Sequence, residues 1–374
     1  MVQTVKIFQE DARIYTGYGL GPLPDAIRAA VTEEENGAFT LELIYPFDGF
    51  NGDKLQPGNL IFCKARPSDT TGEPFRIYDV IESINRTISV KCNHISYDAA
   101  YEVFTGYPNT SVTGIIAACD ALNNYRLGNG FIRVWYDGID TTDLIDLNIG
   151  NIKMLSEMLS GSGSLLEAFG GQYRYQYRPD LEREVIYLCA RRGVDRDISI
   201  TYSYNLMDFE RERNNTEKVS TIIAYQEREM NGNIQRLYEV FTEDPSAPLT
   251  RRMLINVSDR VAWGATRAEI KDAVDEILNG KDVTELFHSI TAAVVPSIQF
   301  GIDETKLDLC DTVLVKYPEL GVSERLKITK VVYNVLTDHY DSVELGDLKK
   351  NVADTIAGIE TKQNGVEAYD GSVS

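Results

Sequence analysis

The sequence predicts an α+β fold that is mostly β: two related small β-barrel domains, a mixed α/β domain between them and a helical insertion in the second barrel. Three observations lead there. Short alternating segments separated by turn residues fill the first hundred residues and return after residue 200. Helical periodicity is concentrated in residues 111–169 and 266–280. The two β regions share a residue pattern. At 374 residues the chain is also too long for one ordinary domain.

The first barrel domain is expected over residues 1–98. "AFTLELIYP" (38–46) sets Phe39, Leu41, Leu43 and Tyr45 on one strand face. "NLIFCKA" (59–65), "PFRIYDVIES" (74–83) and "TISVKCNHI" (87–95) follow at short spacing. Asp48-Gly49, Asn51-Gly52, Pro57-Gly58 and Asn85-Arg86 supply the turns.

Near residue 97 the texture changes, and 99–200 read as the mixed α/β domain. "SVTGIIAACDALNN" (111–124) places Val112, Ile115, Ile116, Cys119 and Leu122 on one helical face, and "FIRVWYDG" (131–138) reads as a strand. "NIKMLSEMLSG" (151–161) is a second amphipathic helix. In "GSLLEAFGGQYRYQYRP" (163–179), Ser164 and Glu167 form a capping box and Gly170-Gly171 stop the short helix. Tyr173, Tyr175 and Tyr177 then share one strand face, with "REVIYLCARRG" (183–193) as the hairpin partner.

The second barrel domain is expected over 201–347. Its strands are "ISITYSY" (198–204), "KVSTIIAYQ" (218–226), "IQRLYEVFT" (234–242) after an Asn231-Gly232 turn, "AAVVPSIQF" (292–300), and others to about 346. The helical insertion spans about 256–290. It holds "TRAEIKDAVDEILNG", capped by Thr266 with Glu269 and stopped at Gly280. Leu348, Val352, Ile356 and Ile359 suggest a terminal amphipathic helix within 348–374, followed by a polar, mobile tail.

An internal repeat links the two β regions. Leu55-x-x-x-Asn59-x-Ile61-Phe62-Cys63-Lys64, then Phe75-Arg76-Ile77-x-x-Val80, matches Leu307-x-x-x-Asp311-x-Val313-Leu314-Val315-Lys316, then Leu326-Lys327-Ile328-x-x-Val331. A trimer of such a chain would present six similar modules around its axis and could sit on a sixfold partner ring. Leu55, Asn59, Ile61, Leu307, Asp311 and Val313 are the candidate ring or partner interface.

Composition closes several function classes. With 57 acidic against 37 basic residues the formal charge is −20, and no basic block occurs, so stable nucleic-acid or anionic-membrane binding is not expected. No segment approaches 18 consecutive apolar residues, so no membrane insertion is expected. The five cysteines are widely spaced without a CxxC and read as buried free thiols suited to a reducing cytosol. No signal-peptide run opens the chain. The glycines at 161–171 lack the dinucleotide fingerprint, and a helix C-terminus repels phosphate. His94, His288 and His339 form no H-E-x-x-H; Cys92 and His94 share one strand side without a catalytic signature, and His94 reads as a core or rim histidine. There is no G-x-S-x-G elbow. The run Asp137, Asp140, Asp143, Asp146 fails the calcium-loop spacing and reads as a solvated acidic loop, with a weak cation site the lesser reading. No catalytic, cofactor or metal residue is assigned, and no enzyme is predicted.

In order, "EENGAFTLELIYPFDG" (34–49), "EPFRIYDVIESINRTISVKCNHISYD" (73–98), "GSLLEAFGGQYRYQ" with "RRGVDRDISITYSYNLMDFERERN" (191–214), and "LDLCDTVLVKYPELGVSERLKITKVVYNVLTDHYDSVELGD" (307–347) make the chain resemble the N-terminal structural region of tail hub, or baseplate hub, proteins of long-tailed phages and prophages. That family includes proteins described as prophage endopeptidase tail or phage minor structural proteins. The resemblance implies a homotrimeric, pseudo-sixfold, baseplate-hub-like ring at the virion tail tip, assembled in the bacterial cytoplasm. It implies docking on a distal tail protein ring, contact with the tape-measure protein's end, and a C-terminal fibre or lysin outside this stretch. An acidic lumen would keep passing DNA from sticking. Two other readings remain at this point. One is a tail-associated wall-degrading endopeptidase; the other is a carbohydrate- or receptor-binding module using Tyr107, Trp135 and Tyr136.

Overall fold

The computed structural model describes residues 5–108, 111–128, 130–138, 146–201, 206–214, 221–230, 232–242, 252–277, 287–294 and 304–346. The first seven strands are β1 (Lys6–Phe8), β2 (Gly21–Pro22), β3 (Arg28–Glu34), β4 (Phe39–Pro46), β5 (Leu60–Cys63), β6 (Glu73–Ser83) and β7 (Thr87–His94). Next come β8 (Val103–Phe104), β9 (Ser111–Thr113), α1 (Ile115–Asn124), β10 (Ile132–Asp137), β11 (Asp146–Asn148), β12 (Lys153–Met154), α2 (Leu155–Leu159) and α3 (Leu165–Phe169). They are followed by β13 (Gln172–Arg178), β14 (Arg183–Cys189), β15 (Asp195–Thr201), β16 (Leu206–Asn214), β17 (Thr221–Met230), β18 (Asn233–Thr242), β19 (Arg252–Asn256) and α4 (Arg267–Ile277). The chain continues through β20 (Phe287–Val294), β21 (Thr312–Tyr317), β22 (Val322–Asn334) and β23 (His339–Leu345). Two compact units result: Met1–Glu210 with Thr291–Leu348, and a second built on Arg211–Ile290.

The fold is mostly β, as the alternation predicts. No closed barrel forms among the described residues. Instead both β regions belong to one 13-stranded sheet with the path β16-β20-β23-β22-β3-β4-β7-β6-β5-β1-β2, and β21 and β15 branch from β22. The join is β22 with β3, antiparallel, with Tyr333 opposite Val31 and Lys330 opposite Glu34. Phe39, Leu41, Leu43 and Tyr45 of β4 are all fully buried, because a strand with partners on both edges turns a single face to the core.

The repeat is present in the backbone as well as in the residues. Gly58 N–H donates to Ile77 C=O (2.9 Å) and Ile77 N–H to Asn59 C=O (2.9 Å). In the second copy Cys310 N–H donates to Ile328 C=O (2.9 Å) and Ile328 N–H to Asp311 C=O (2.8 Å). Gly58 and Cys310 both take positive φ, +97° and +72°. The register shifts between Ile77 and Asp79 where β6 pairs β7, and between Ile328 and Lys330 where β22 pairs β23. β4 flanks β7 as β20 flanks β23. The copies diverge at one edge: β1 runs antiparallel to β5, while β15 runs parallel to β21.

The mixed α/β part has its own three-stranded sheet, β10-β14-β13. β13 and β14 form the expected hairpin, Tyr173 opposite Leu188, and β10 lies parallel to β14. Its core joins Ile115, Cys119 and Leu122 of α1 to Leu155, Met158, Leu165 and Tyr173. Ser164 Oγ accepts from Glu167 N–H (3.2 Å), while Glu167 returns its carboxylate to Gly163 N–H (2.5 Å) rather than to the cap residue. Gly170 and Gly171 end α3 with φ +68° and +91°. Gly171 C=O accepts from Asn36 Nδ2 (3.0 Å), and Tyr173 N–H donates to Asn36 Oδ1 (2.8 Å). The double glycine is therefore a joint docking the hairpin onto the β3–β4 turn.

In the second unit, β17 pairs antiparallel with β18 and parallel with β19. β17 and β18, which the sequence groups with the second β region, thus form a sheet of their own with β19. Ile270, Ala273 and Val274 of α4 cover it, packing on Ile222, Ala224, Phe241, Met253 and Ile255. The expected cap is present: Glu269 Oε2 accepts from Thr266 N–H (2.7 Å). Asn231, Gly280 and the terminal helix expected at 348–359 lie outside the described residues.

Candidate functional site

Strand alternation in the first unit turns several ionisable side chains inward. Glu33 shares parity with Val31 on β3, Glu73 with Phe75 and Ile77 on β6, and His94 with Val90 and Cys92 on β7. Glu184 follows the same logic on β14, and Arg66 and Arg192 reach in from the segments after β5 and β14. All six are buried.

Two ionic groups form. In the first, Arg192 Nη1 lies 2.8 Å from Glu33 Oε1, and Arg66 Nη1 lies 3.8 Å from Glu33 Oε2. Asp308 receives both guanidiniums, at 3.5 Å from Arg192 and 3.8 Å from Arg66. Burial alone would raise the Glu33 carboxyl, but Arg192 and then Arg66 outweigh it and hold it down at about 2. The second group is Glu73, His94 and Glu184, whose ligand-type atoms lie within 4.8 Å of one another. His94 Nε2 is 3.5 Å from Glu73 Oε2 and 3.9 Å from Glu184 Oε1. Glu73 Oε2 accepts from Tyr177 N–H (2.9 Å), and Arg66 Nη2 lies 3.5 Å from Glu73 Oε1. Phe39 stacks on the imidazole at 4.1 Å.

Burial dominates the titration of this second group. It pushes His94 down to about 3, so the ring is neutral. It pushes Glu73 well up, with Glu184 adding to the effect. Glu184 is likewise raised well above the carboxylate range by burial, against a smaller pull from the Gln176 backbone and Arg66. Neither Glu184 oxygen has a hydrogen bond of normal geometry, and neither does His94 Nε2.

The six positions singled out for a ring or partner interface lie elsewhere. Leu55, Ile61, Leu307, Asp311 and Val313 are buried inside the chain and Asn59 is half-buried. Asn59 Nδ2 donates to Lys54 C=O (2.9 Å). Asp311 accepts from Val194 N–H (2.8 Å) and Arg196 Nε (2.7 Å). Asp137 pairs with Arg174 (2.5 Å); Asp140 and Asp143 lie outside the described residues. Tyr107 and Tyr136 pack against the mixed-part core, and Trp135, 36% exposed, meets Tyr187 edge-on at 5.8 Å. All five cysteines are free and buried. The buried ionic cluster escaped the sequence reading. The parity of Glu33, Glu73 and His94 with apolar neighbours was the signal for it.

The sequence matches no family model, and comparison with curated proteins gave no match. Solved structures do match. A prophage tail protein of Listeria monocytogenes aligns over 97% of this chain and 100% of its own, with TM-score 0.56 and 14% identity. A tail protein of Neisseria meningitidis aligns over 92% of this chain and 96% of its own (TM-score 0.53, 12% identity). The 43 kDa tail protein of prophage MuSo2 from Shewanella oneidensis aligns over 92% and 98% (TM-score 0.54, 12% identity). Mostly β, with two copies of one strand motif joined in a single sheet, the chain has the fold of prophage tail proteins.

Proposed function

We propose that this chain is a structural hub protein of a long-tailed phage or prophage, working as a homotrimer whose six repeat copies close a ring at the distal end of the tail tube. The observation that carries the reading is an asymmetry between the copies. In the second copy the far end of β22, Lys330–Asn334, pairs with β3 of the first. The corresponding stretch of β6, Asp79–Ser83, pairs only with β7 among the described residues. Its side chains run from half-buried at Asp79 and Val80 to exposed at Ile81–Ser83, with Ile81 47% exposed, and Ile84 just beyond is 98% exposed. At the other end of the sheet path stands β16, the second copy's counterpart of β3. If β6 of one subunit pairs with β16 of the next, the contact made once inside the chain recurs between chains, and three subunits close it.

In this reading 1–98 and those strands of 201–347 that join the large sheet are the ring-forming parts, with the sheet β17–β19 and α4 an insertion, 99–200 a lateral domain and 348–374 the exit toward a fibre or lysin. The repeat segments carrying Leu55, Asn59, Ile61, Leu307, Asp311 and Val313 form the ring body. The ring sits on the distal tail protein and surrounds the end of the tape-measure protein at the virion tail tip. Light scattering over a concentration series tests the idea. A trimer is expected, with six similar lobes in averaged images. Ile81→Lys with Ile84→Lys should give a folded monomer, since exposed substitutions change stability by about 0.5 kcal/mol or less. A wild-type chain that stays monomeric at every concentration, or a double variant that still forms trimers, counts against it.

A further inference from the structure

We propose that Glu73, His94 and Glu184 form a structural site for one divalent transition-metal cation, with Zn²⁺ the best fit. The inference is independent of the tail-hub reading. Three observations carry it. The donor set is one imidazole and two carboxylates, which matches zinc and its first-row neighbours. The separations of 3.5 and 3.9 Å between His94 Nε2 and the two carboxylates suit ligands held about 2.1 Å from a common centre. Finally, His94 Nε2 and both Glu184 oxygens are completely buried and have no hydrogen-bond partner of normal geometry. A buried carboxyl held only by the Gln176 backbone outside normal hydrogen-bond geometry is costly to the fold, so such a group in a native core calls for a better counterpart.

The surroundings agree. His94 Nδ1 lies 2.9 Å from Ser96 Oγ. With Nδ1–H donating to that hydroxyl, Nε2 turns its lone pair toward both carboxylates, as supporting hydrogen bonds do for metal-bound histidines. Ser96 N–H donates to Nδ1 (3.3 Å), so binding an ion at Nε2 requires the ring to give up that bond and carry its proton on Nδ1. Acids also outnumber bases here: Glu33, Glu73, Glu184, Asp308 and Asp69 stand against the guanidiniums of Arg66 and Arg192. A bound divalent cation would offset part of that excess. A cavity of about 190 Å³, lined by Asp69, Glu73 and Asp308 with Arg66 and Arg174, borders the site at Glu73. The ion would tie β6 and β7 of the large sheet to β14 of the small one.

The test uses the full chain. Metal content is measured after purification without chelator. Zn²⁺ is then titrated into EDTA-treated, dialysed protein, with thermal unfolding as the readout. Expected are close to one zinc per chain and a melting temperature that rises with Zn²⁺ and falls on chelation. Glu184→Gln and His94→Gln should each weaken binding by more than about 100-fold, beyond what loss of a mere supporting partner costs. Co²⁺ gives a second readout: it should produce a visible d–d band in the wild type that neither variant shows, and far-UV circular dichroism checks that both are folded. Metal-free protein whose melting is indifferent to Zn²⁺, with no cobalt band, would overturn the site and leave a core of protonated carboxyls. Zinc bound equally well by the folded variants would also overturn it.

Discussion

Glu33 is the residue whose environment departs furthest from what its neighbours in sequence suggest. It sits in "TEEEN", a run that looks like a solvated face, yet it is 1% exposed and faces two guanidiniums. Removing one of them strands a charge. Arg192→Met is expected to destabilise the fold by about 3–5 kcal/mol in urea titrations, and adding Glu33→Gln should recover much of that loss. The pH dependence follows from the depressed Glu33 value, about 2 against an ordinary 4.5. A carboxyl lowered on folding contributes stability that is full above its unfolded value and is lost as pH falls toward the folded one. The stability difference between wild type and Glu33→Gln should therefore hold above about pH 5 and shrink steadily down to pH 2. A difference that stays flat across that window would mean Glu33 titrates normally. Legibility at this level was uneven. The cap at Thr266, the glycine stop after α3 and the burial of the cysteines were readable because each depends on local chemistry. The ionic cluster was not, because its members meet only when β3, β6, β7 and β14 come together.

Strands that bury one alternating face announced themselves. β4, β5, β6 and β7 fall within a residue or two of their expected places. β3 did not. Its sequence, RAAVTEE, has small side chains and no clean alternation, and it is a strand because β4 and β22 grip both of its edges. The single sheet in place of two barrels traces to the same strand, since no local signal reports a pairing with β22. The β17–β18 hairpin was legible but its allegiance was not, because a hairpin pattern does not say which sheet it joins. The edge asymmetry between β6 and β22 gives a prediction. In hydrogen exchange on the Ile81→Lys, Ile84→Lys chain, amides of Lys330–Asn334 should be strongly protected and those of Asp79–Ser83 only where they face β7. In the assembled wild type the second set should become protected too. Equal protection of both stretches in the monomeric variant would mean that β6 already has a partner within the chain.

For the chain as a whole the dominating quantity is the net charge of −20. Bringing three such chains together is opposed by like-charge repulsion, which salt screens over about 8 Å at physiological ionic strength. Trimer formation should accordingly strengthen between low salt and about 0.5 M NaCl, read as a shift of the light-scattering midpoint to lower protein concentration. A midpoint moving the other way would point to an interface held by ion pairs. The overall class, mostly β with an internal duplication, was legible because repetition survives in residue patterns even when topology is hidden. Shared fold at 12–14% identity with tail proteins from three bacteria fits that view. Such a fold is specified by strand order and edge partners far more than by individual side chains.

The join between β3 and β22 also sets a clock on synthesis. Glu35, just past β3, pairs with Lys327, 292 residues later. At about 5–20 residues per second, a ribosome leaves that edge of β3 uncovered for tens of seconds. An uncovered edge invites mispairing, and the acids Glu33, Glu34 and Glu35 lie where charge best discourages it. Until the β22 hairpin has emerged, the nascent first half offers an incomplete sheet to any neighbour. A prematurely terminated polypeptide would then carry the flaw openly, as a ready substrate for proteases.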